Sequence, residues 1–178
     1  MKRYVAALLC ACVLAACSGP APKEPEIRVV DLAGLEKALA EYRGKGVLLN
    51  FWAMWCEPCV AEMPELLETV RSYRGRGGAA LGVSYDLMVP DATRDEVLQQ
   101  LRSFVAEHGI DIPVLVYEAD DYDAINQRFG LPGPIPVTLA LDARGAIVDR
   151  EEKQAGRARF EAMMRKALGE NGDAHRFR

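Results

Sequence analysis

Apolar and polar positions fall into two kinds of block along this chain. Continuous apolar runs of strand length recur at Val47 to Trp52, Ala79 to Tyr85 and Val114 to Tyr117, after a shorter one at Ile27 to Val30. Between them, apolar residues return every three or four positions, the period of a helix with one buried face. Leu32, Leu35, Leu39 and Tyr42 make one such face, Leu66, Leu67 and Val70 a second, and Val97, Leu101, Phe104 and Val105 a third. The pattern predicts helices from Glu57 or Cys59 to Tyr73, Asp91 to Glu107, Tyr122 to Phe129 and Arg157 to Leu168. Glycines at 44 and 46, at 75, 77 and 78, and at 109 punctuate them. Val137 to Leu141 and Ala146 to Arg150 flank Asp142-Ala143-Arg144-Gly145, a hairpin signature. Alternating strands and helices that finish in a hairpin and a helix imply an α/β sandwich. Its central sheet should be mixed, parallel at first and antiparallel at the hairpin.

The N-terminus follows a different rule. Lys2 and Arg3 precede an apolar run, Val5 to Ala16, that is too short to span a bilayer comfortably. It ends Leu14-Ala15-Ala16-Cys17, which resembles a bacterial lipobox. That resemblance implies cleavage before Cys17 and diacylglycerol on its sulfur; a plain signal peptide or an uncleaved anchor is the competing reading. The expected organisation is a lipoprotein signal peptide at 1–16 and a lipidated Cys17 with a tether at 17–26. A folded domain at 27–169 and a flexible tail at 170–178 follow. Pro20, Pro22 and Pro25 make the tether extended, at about 3.1 Å per residue. The protein is then expected on the extracytoplasmic (periplasmic) face of a bacterial membrane, held by lipid. Ser18 permits outer-membrane sorting, so inner and outer membrane both stay open.

Composition narrows the classes. At 178 residues, with 50% apolar and 27% charged positions, the chain suits one globular domain. A net charge of −4 gives no basic surplus with which to grip nucleic acid. Cys10 and Cys12 leave with the signal and Cys17 carries lipid, so the mature chain keeps two thiols, Cys56 and Cys59. Two cysteines three positions apart close too small a loop to staple a fold, so the pair reads as reactive. A structural zinc site needs four ligands and one Cys-x-x-Cys gives two. His108 and His175, near a helix end and in the tail, read as surface residues. No metal and no organic cofactor is expected.

Phe51-Trp52-Ala53-Met54-Trp55-Cys56-Glu57-Pro58-Cys59 sits where a buried strand turns into a helix. A cysteine in a first helical turn faces unpaired backbone N–H groups and the positive end of the dipole. Both favour thiolate over thiol. Pro58 suits that turn because its missing N–H is not needed there. Cys56 is therefore the expected nucleophile and Cys59 the resolving thiol. Glu57 puts a negative charge beside Cys56, which opposes its thiolate and tilts the pair toward acting as a reductant; an exposed Glu that merely suits the helix start is the alternative. Glu62, three residues past Cys59, shares its helical face and can accept its proton, unless it is only a surface residue. Trp52 should pack in the core and Trp55 lie exposed beside the nucleophile.

The Trp-Cys-x-Pro-Cys segment after Asn50-Phe51-Trp52 resembles the thioredoxin superfamily. Followed by Glu62, Met63 and Pro64, it is similar to the TlpA/ResA-like, membrane-anchored thiol–disulfide oxidoreductases. The resemblance runs from about Val30 to Leu168. It implies a thioredoxin-like three-layer sandwich with a helix-plus-strand insertion, placed here at Asp86 to Asp121. Many thioredoxins carry a buried Asp where this chain has Asn50, which leaves Glu62 as the acid–base group. Gly133-Pro134-Ile135-Pro136-Val137-Thr138 matches the cis-proline loop, with Pro136 cis and the backbone of Ile135 free to pair with an extended substrate. Val137 stands where the family often has Thr, a change expected to alter substrate contacts. Trp55, Glu57, Pro58, Ile135 and Pro136 are the expected substrate contacts, and Cys56, Cys59 and Glu62 the catalytic set. The implied partners are disulfide-bearing proteins, apocytochrome c among them, and a membrane electron relay of the CcdA/DsbD kind. Rival readings are a thiol oxidase, a thiol peroxidase on the same fold, and a non-catalytic tethered binding lipoprotein.

Overall fold

Every residue of the strand Gly46–Trp52 (β2) is buried, because it lies in the middle of a six-stranded sheet. The computed structural model describes residues 25–89, 93–120 and 122–170. The lipobox with Cys17, most of the tether, Asp91, His175 and the tail from 171 lie outside the described residues. The remaining strands are Ile27–Val30 (β1), Gly78–Ser84 (β3), Val114–Tyr117 (β4), Val137–Leu141 (β5) and Ile147–Glu151 (β6). Their order is β1-β4-β3-β2-β5-β6. β1, β4, β3 and β2 run parallel to one another, β5 runs antiparallel to β2, and β6 runs antiparallel to β5, as the hairpin at 142–145 requires.

Helices are Leu32–Ala40 (α1), Glu57–Tyr73 (α2), Arg94–Glu107 (α3), Asp123–Phe129 (α4) and Arg157–Ala167 (α5). Successive strand residues point to opposite faces, and β2 shows what covers each. Phe51 meets Phe129 of α4, with ring centroids 5.8 Å apart, while Trp52 meets Phe104 of α3 at 5.9 Å. α2 and α5 pack together against the sheet. The result is the expected three-layer α/β sandwich. Among the described residues, no helix is long and apolar enough to cross a membrane.

The start of α3 differs from the sequence reading, for a local reason. α3 begins at Arg94 rather than Asp91, because Thr93 forms a capping box with Glu96. The Thr93 hydroxyl accepts from the Glu96 amide and the Glu96 carboxylate accepts from the Thr93 amide at 3.0 Å. α2 runs unbroken through Pro64. The helix-plus-strand expected within Asp86 to Asp121 is α3 and β4, and β4 lies between β1 and β3. Leu101, Val105, Ile110, Ile112 and all of β4 are buried, so this segment belongs to the core. Its first turn, the 3-10 helix Asp86–Met88, also reaches the site described next.

Candidate active site

β2 delivers the chain to the site. After Trp52 it turns through Ala53, Met54 and Trp55, and α2 starts at Glu57 with Cys56 as its N-cap residue. Cys56 is in extended conformation, its amide donates to the Ala53 carbonyl at 3.2 Å, and no side chain caps the helix. The free first-turn N–H groups thus lie beside Cys56, where they favour a sulfur anion. Cys56 and Cys59 are joined as a disulfide. Cys56 is 6% exposed and Cys59 fully buried, so an incoming partner reaches Cys56 first.

The peptide bond between Ile135 and Pro136 is cis. It brings the Ile135 carbonyl oxygen to 3.8 Å from Cys56 Sγ. Trp55, Pro58, Tyr85, Met88, Pro134 and Ile135 line a mostly apolar groove around Cys56. Trp55, at 54% exposure, and Met88, at 43%, are among the most exposed large apolar side chains of the described structure. Such a concentration at one sulfur marks a contact surface. Glu57 and Pro58 are exposed beside it. Val137 requires a correction. Its side chain is buried in β5, opposite Phe51, so it does not reach the groove.

Beneath the disulfide lies a polar network. Glu62 is 1% exposed, not a surface helix residue. One carboxylate oxygen accepts from the Asn50 side-chain amide at 2.9 Å, the other from the Ala155 backbone N–H at 2.8 Å. The Asn50 amide also donates to the Thr138 hydroxyl at 2.9 Å. β2 and β5 place Asn50 and Thr138 directly opposite each other, and α2 sets Glu62 above them. Burial pushes the Glu62 carboxyl up to about 7, against the two hydrogen bonds, which hold it down. Glu151 adds a smaller upward push. A carboxyl poised near neutrality, one helical turn from Cys59, can take and return a proton.

One site residue escaped the sequence reading. Asp86 is fully buried, and its carboxylate accepts from the Met54 amide at 2.8 Å and from the Ser84 hydroxyl at 2.6 Å. Burial raises its pKa, and these two bonds oppose the rise. Nothing in the local pattern marked it, since an Asp just past a strand reads as a loop residue. His108 is exposed, its ring stacked on Phe104, away from the cysteines in the sequence and on the far end of α3.

Fold and site together define the thioredoxin class of redox proteins, with a cysteine pair set for thiol–disulfide exchange at a helix N-terminus beside a cis-proline. The chain belongs to the AhpC/TSA family, which it matches over residues 20–150. It is similar to the thiol-disulfide oxidoreductase ResA of Geobacillus thermodenitrificans, at 33% identity over 69% of this chain and 63% of that protein. The chain thus spans somewhat under two thirds of that relative's length. It is also similar to ResA of Bacillus thuringiensis strain Al Hakam, 31% identical over 80% of this chain and 75% of the relative. Among solved structures, a thiol:disulfide interchange protein of the thioredoxin family from Chlorobium tepidum TLS superposes with a TM-score of 0.61 at 25% identity. It covers 73% of this chain and 84% of its own.

Proposed function

We propose that the protein is an extracytoplasmic thiol–disulfide oxidoreductase that reduces protein disulfides. The observation that carries this reading is the bonded Cys56–Cys59 pair, with one sulfur open to the groove and the other buried above Glu62. In the reduced protein, the Cys56 thiolate attacks a substrate disulfide. A Cys56–substrate bond forms and one substrate sulfur leaves as thiolate. Cys59 then gives its proton to Glu62 and attacks the Cys56 sulfur. The second substrate sulfur leaves, and the protein ends in the disulfide state seen here. The substrate gains two electrons and two protons. A dithiol donor must return the electrons, and a membrane relay of the CcdA/DsbD kind suits a compartment without a thiol pool.

Cys17 as a lipid anchor and the 17–26 tether fit the same setting, with the domain held near a membrane. Apocytochrome c, whose haem-attachment cysteines must be reduced, is the proposed substrate. Glu57, exposed beside Cys56, supports the reducing direction, because its charge disfavours the thiolate that reduction of this disulfide creates. The test is the reduction potential of the Cys56–Cys59 couple, measured by equilibration with a thiol redox buffer. A reductase should fall in the range of about −270 mV, and a value near about −120 mV would assign the protein to disulfide formation instead.

A further inference from the structure

Asp86 is a buried carboxylate that the exchange mechanism does not use. Among the described residues no cation forms an ion pair with it, so its burial is unfavourable unless its oxygens do something specific. They join two segments. Oδ1 holds the amide of Met54, in the turn that carries Trp55 and Cys56. Oδ2 is held by Ser84 at the end of β3, whose hydroxyl oxygen also accepts from the Asp86 amide at 3.2 Å. A second bond runs in parallel, from the Tyr85 amide to the Trp52 carbonyl at 2.9 Å. Asp86 also opens the short helix that presents Met88, whose amide donates to the Tyr85 carbonyl at 3.0 Å. Of the two exposed apolar walls of the groove, Trp55 therefore follows directly on the Met54 amide that this carboxylate holds, and Met88 lies two residues past the carboxylate itself.

We infer that Asp86 is a positioning residue for thiol exchange with polypeptide disulfides. It latches the cysteine turn to the Met88 loop and so sets the width of the groove that grips an apolar segment next to the substrate's sulfur. It acts as a hydrogen-bond acceptor for Met54, not as a charge acting on the cysteines. The inference rests on exchange at Cys56 and not on the direction of electron flow. It assigns the substrate class as extended chains with a bulky apolar residue beside the disulfide cysteine.

The test compares Asp86→Ala and Asp86→Asn in the full chain. Reduced protein is mixed with a peptide disulfide flanked by leucine, and separately with bis(2-hydroxyethyl) disulfide, which is too small to need the groove. Asp86→Ala should raise KM for the peptide about tenfold, the size of one lost contact of ordinary strength, with kcat and the small-disulfide rate within about twofold of the parent. Hydrogen exchange at the Met54 amide should accelerate in the same variant. Asp86→Asn keeps an acceptor for Met54 and should behave as the parent in all three readouts. Equal slowing of both disulfides by Asp86→Ala, an unchanged KM, or an Asn variant as impaired as the Ala variant would each overturn the latch. If Asp86→Ala does not fold, Ser84→Ala decides: it removes the Ser84 bonds to Oδ2 and to the Asp86 amide and leaves the Met54 amide on Oδ1, and a rise in peptide KM of about threefold supports the latch while no rise overturns it. A parent protein inert toward both disulfides would sink the exchange reading, and the latch with it; the other adverse outcomes sink the latch alone.

Discussion

The side chains of Asn50 and Glu62 meet at 2.9 Å in the interior, with the Asn50 amide donating to the carboxylate. This pairing puts one titratable group and one that cannot titrate side by side in the interior. Asn50 cannot titrate, so it steadies the Glu62 carboxylate without competing for its proton. Glu62 already has a donor on each oxygen, from Asn50 and Ala155. A Gln there would present its own N–H₂ to one of those donors. Glu62→Gln should therefore slow exchange with protein disulfides by about 10²-fold, in the range of lost general acid–base catalysis. The limb near pH 7 in the parent's pH–rate profile should vanish with it, as stopped-flow kinetics across pH 5 to 9 would record.

The same carboxyl links stability to pH. Its folded pKa, about 7, is above the ordinary value of 4.5. A raised pKa means that its contribution to stability is fully present below about pH 4.5 and is lost as pH rises through 7. At 1.36 kcal/mol per unit, the loss is about 3 kcal/mol. Denaturant titrations of the oxidised protein should show Glu62→Gln gaining on the parent by that order between pH 4.5 and 8. Asp149 acts in the opposite sense. The Arg159 guanidinium and the Lys166 ammonium hold its carboxyl well below the usual range, so its contribution is lost only as pH falls. Comparing variant with parent at each pH cancels that term.

Asn50→Asp would place a second carboxylate against Glu62. Two such groups at hydrogen-bond distance cannot both ionise cheaply, so one pKa rises. The limb in the pH–rate profile should move upward by about one unit or more. A limb that stays in place would show that Glu62 does not set it.

Trp55 stands at the mouth of the groove with more than half its surface exposed. Trp55→Ala should raise KM for a polypeptide disulfide by about tenfold, as loss of an aromatic anchor does at interfaces. Its unfolding free energy should stay within about 0.5 kcal/mol of the parent, because an exposed side chain supports little packing.

Gly82 faces Asn50 across β2 and β3 and has no room for a side chain. A Cβ there would lie 2.8 Å from Trp52 Nε1. Gly82→Ala should destabilise the fold by about 1–3 kcal/mol through overpacking, with a change in tryptophan emission as the Trp52 ring shifts.

Much of this was legible in the chain. The apolar run ending at Trp52 marked a central strand because burial on both faces removes alternation, and the cysteine motif marked the helix start because its Pro58 belongs there. The cis bond before Pro136 and the buried Trp52 also follow the sequence reading. The rest depended on partners distant in sequence. The buried Glu62 finds its hydrogen-bond donors in Ala155, 93 residues away, and in Asn50. Asp86 gains its role from Met54, 32 residues earlier. Thr93 and Glu96 carried a local signal for the start of α3, and the apolar period alone had hidden it.

The central claim is that Cys56 attacks and Cys59 resolves. It is tested most directly by mixing Cys59→Ser and Cys56→Ser variants with a disulfide-bearing polypeptide and resolving the products on a non-reducing gel. Cys59→Ser should hold the polypeptide as a stable mixed disulfide through Cys56, while Cys56→Ser, with the Cys59 sulfur buried, should hold none through Cys59. Trapping by Cys56→Ser as readily as by Cys59→Ser would contradict the assignment.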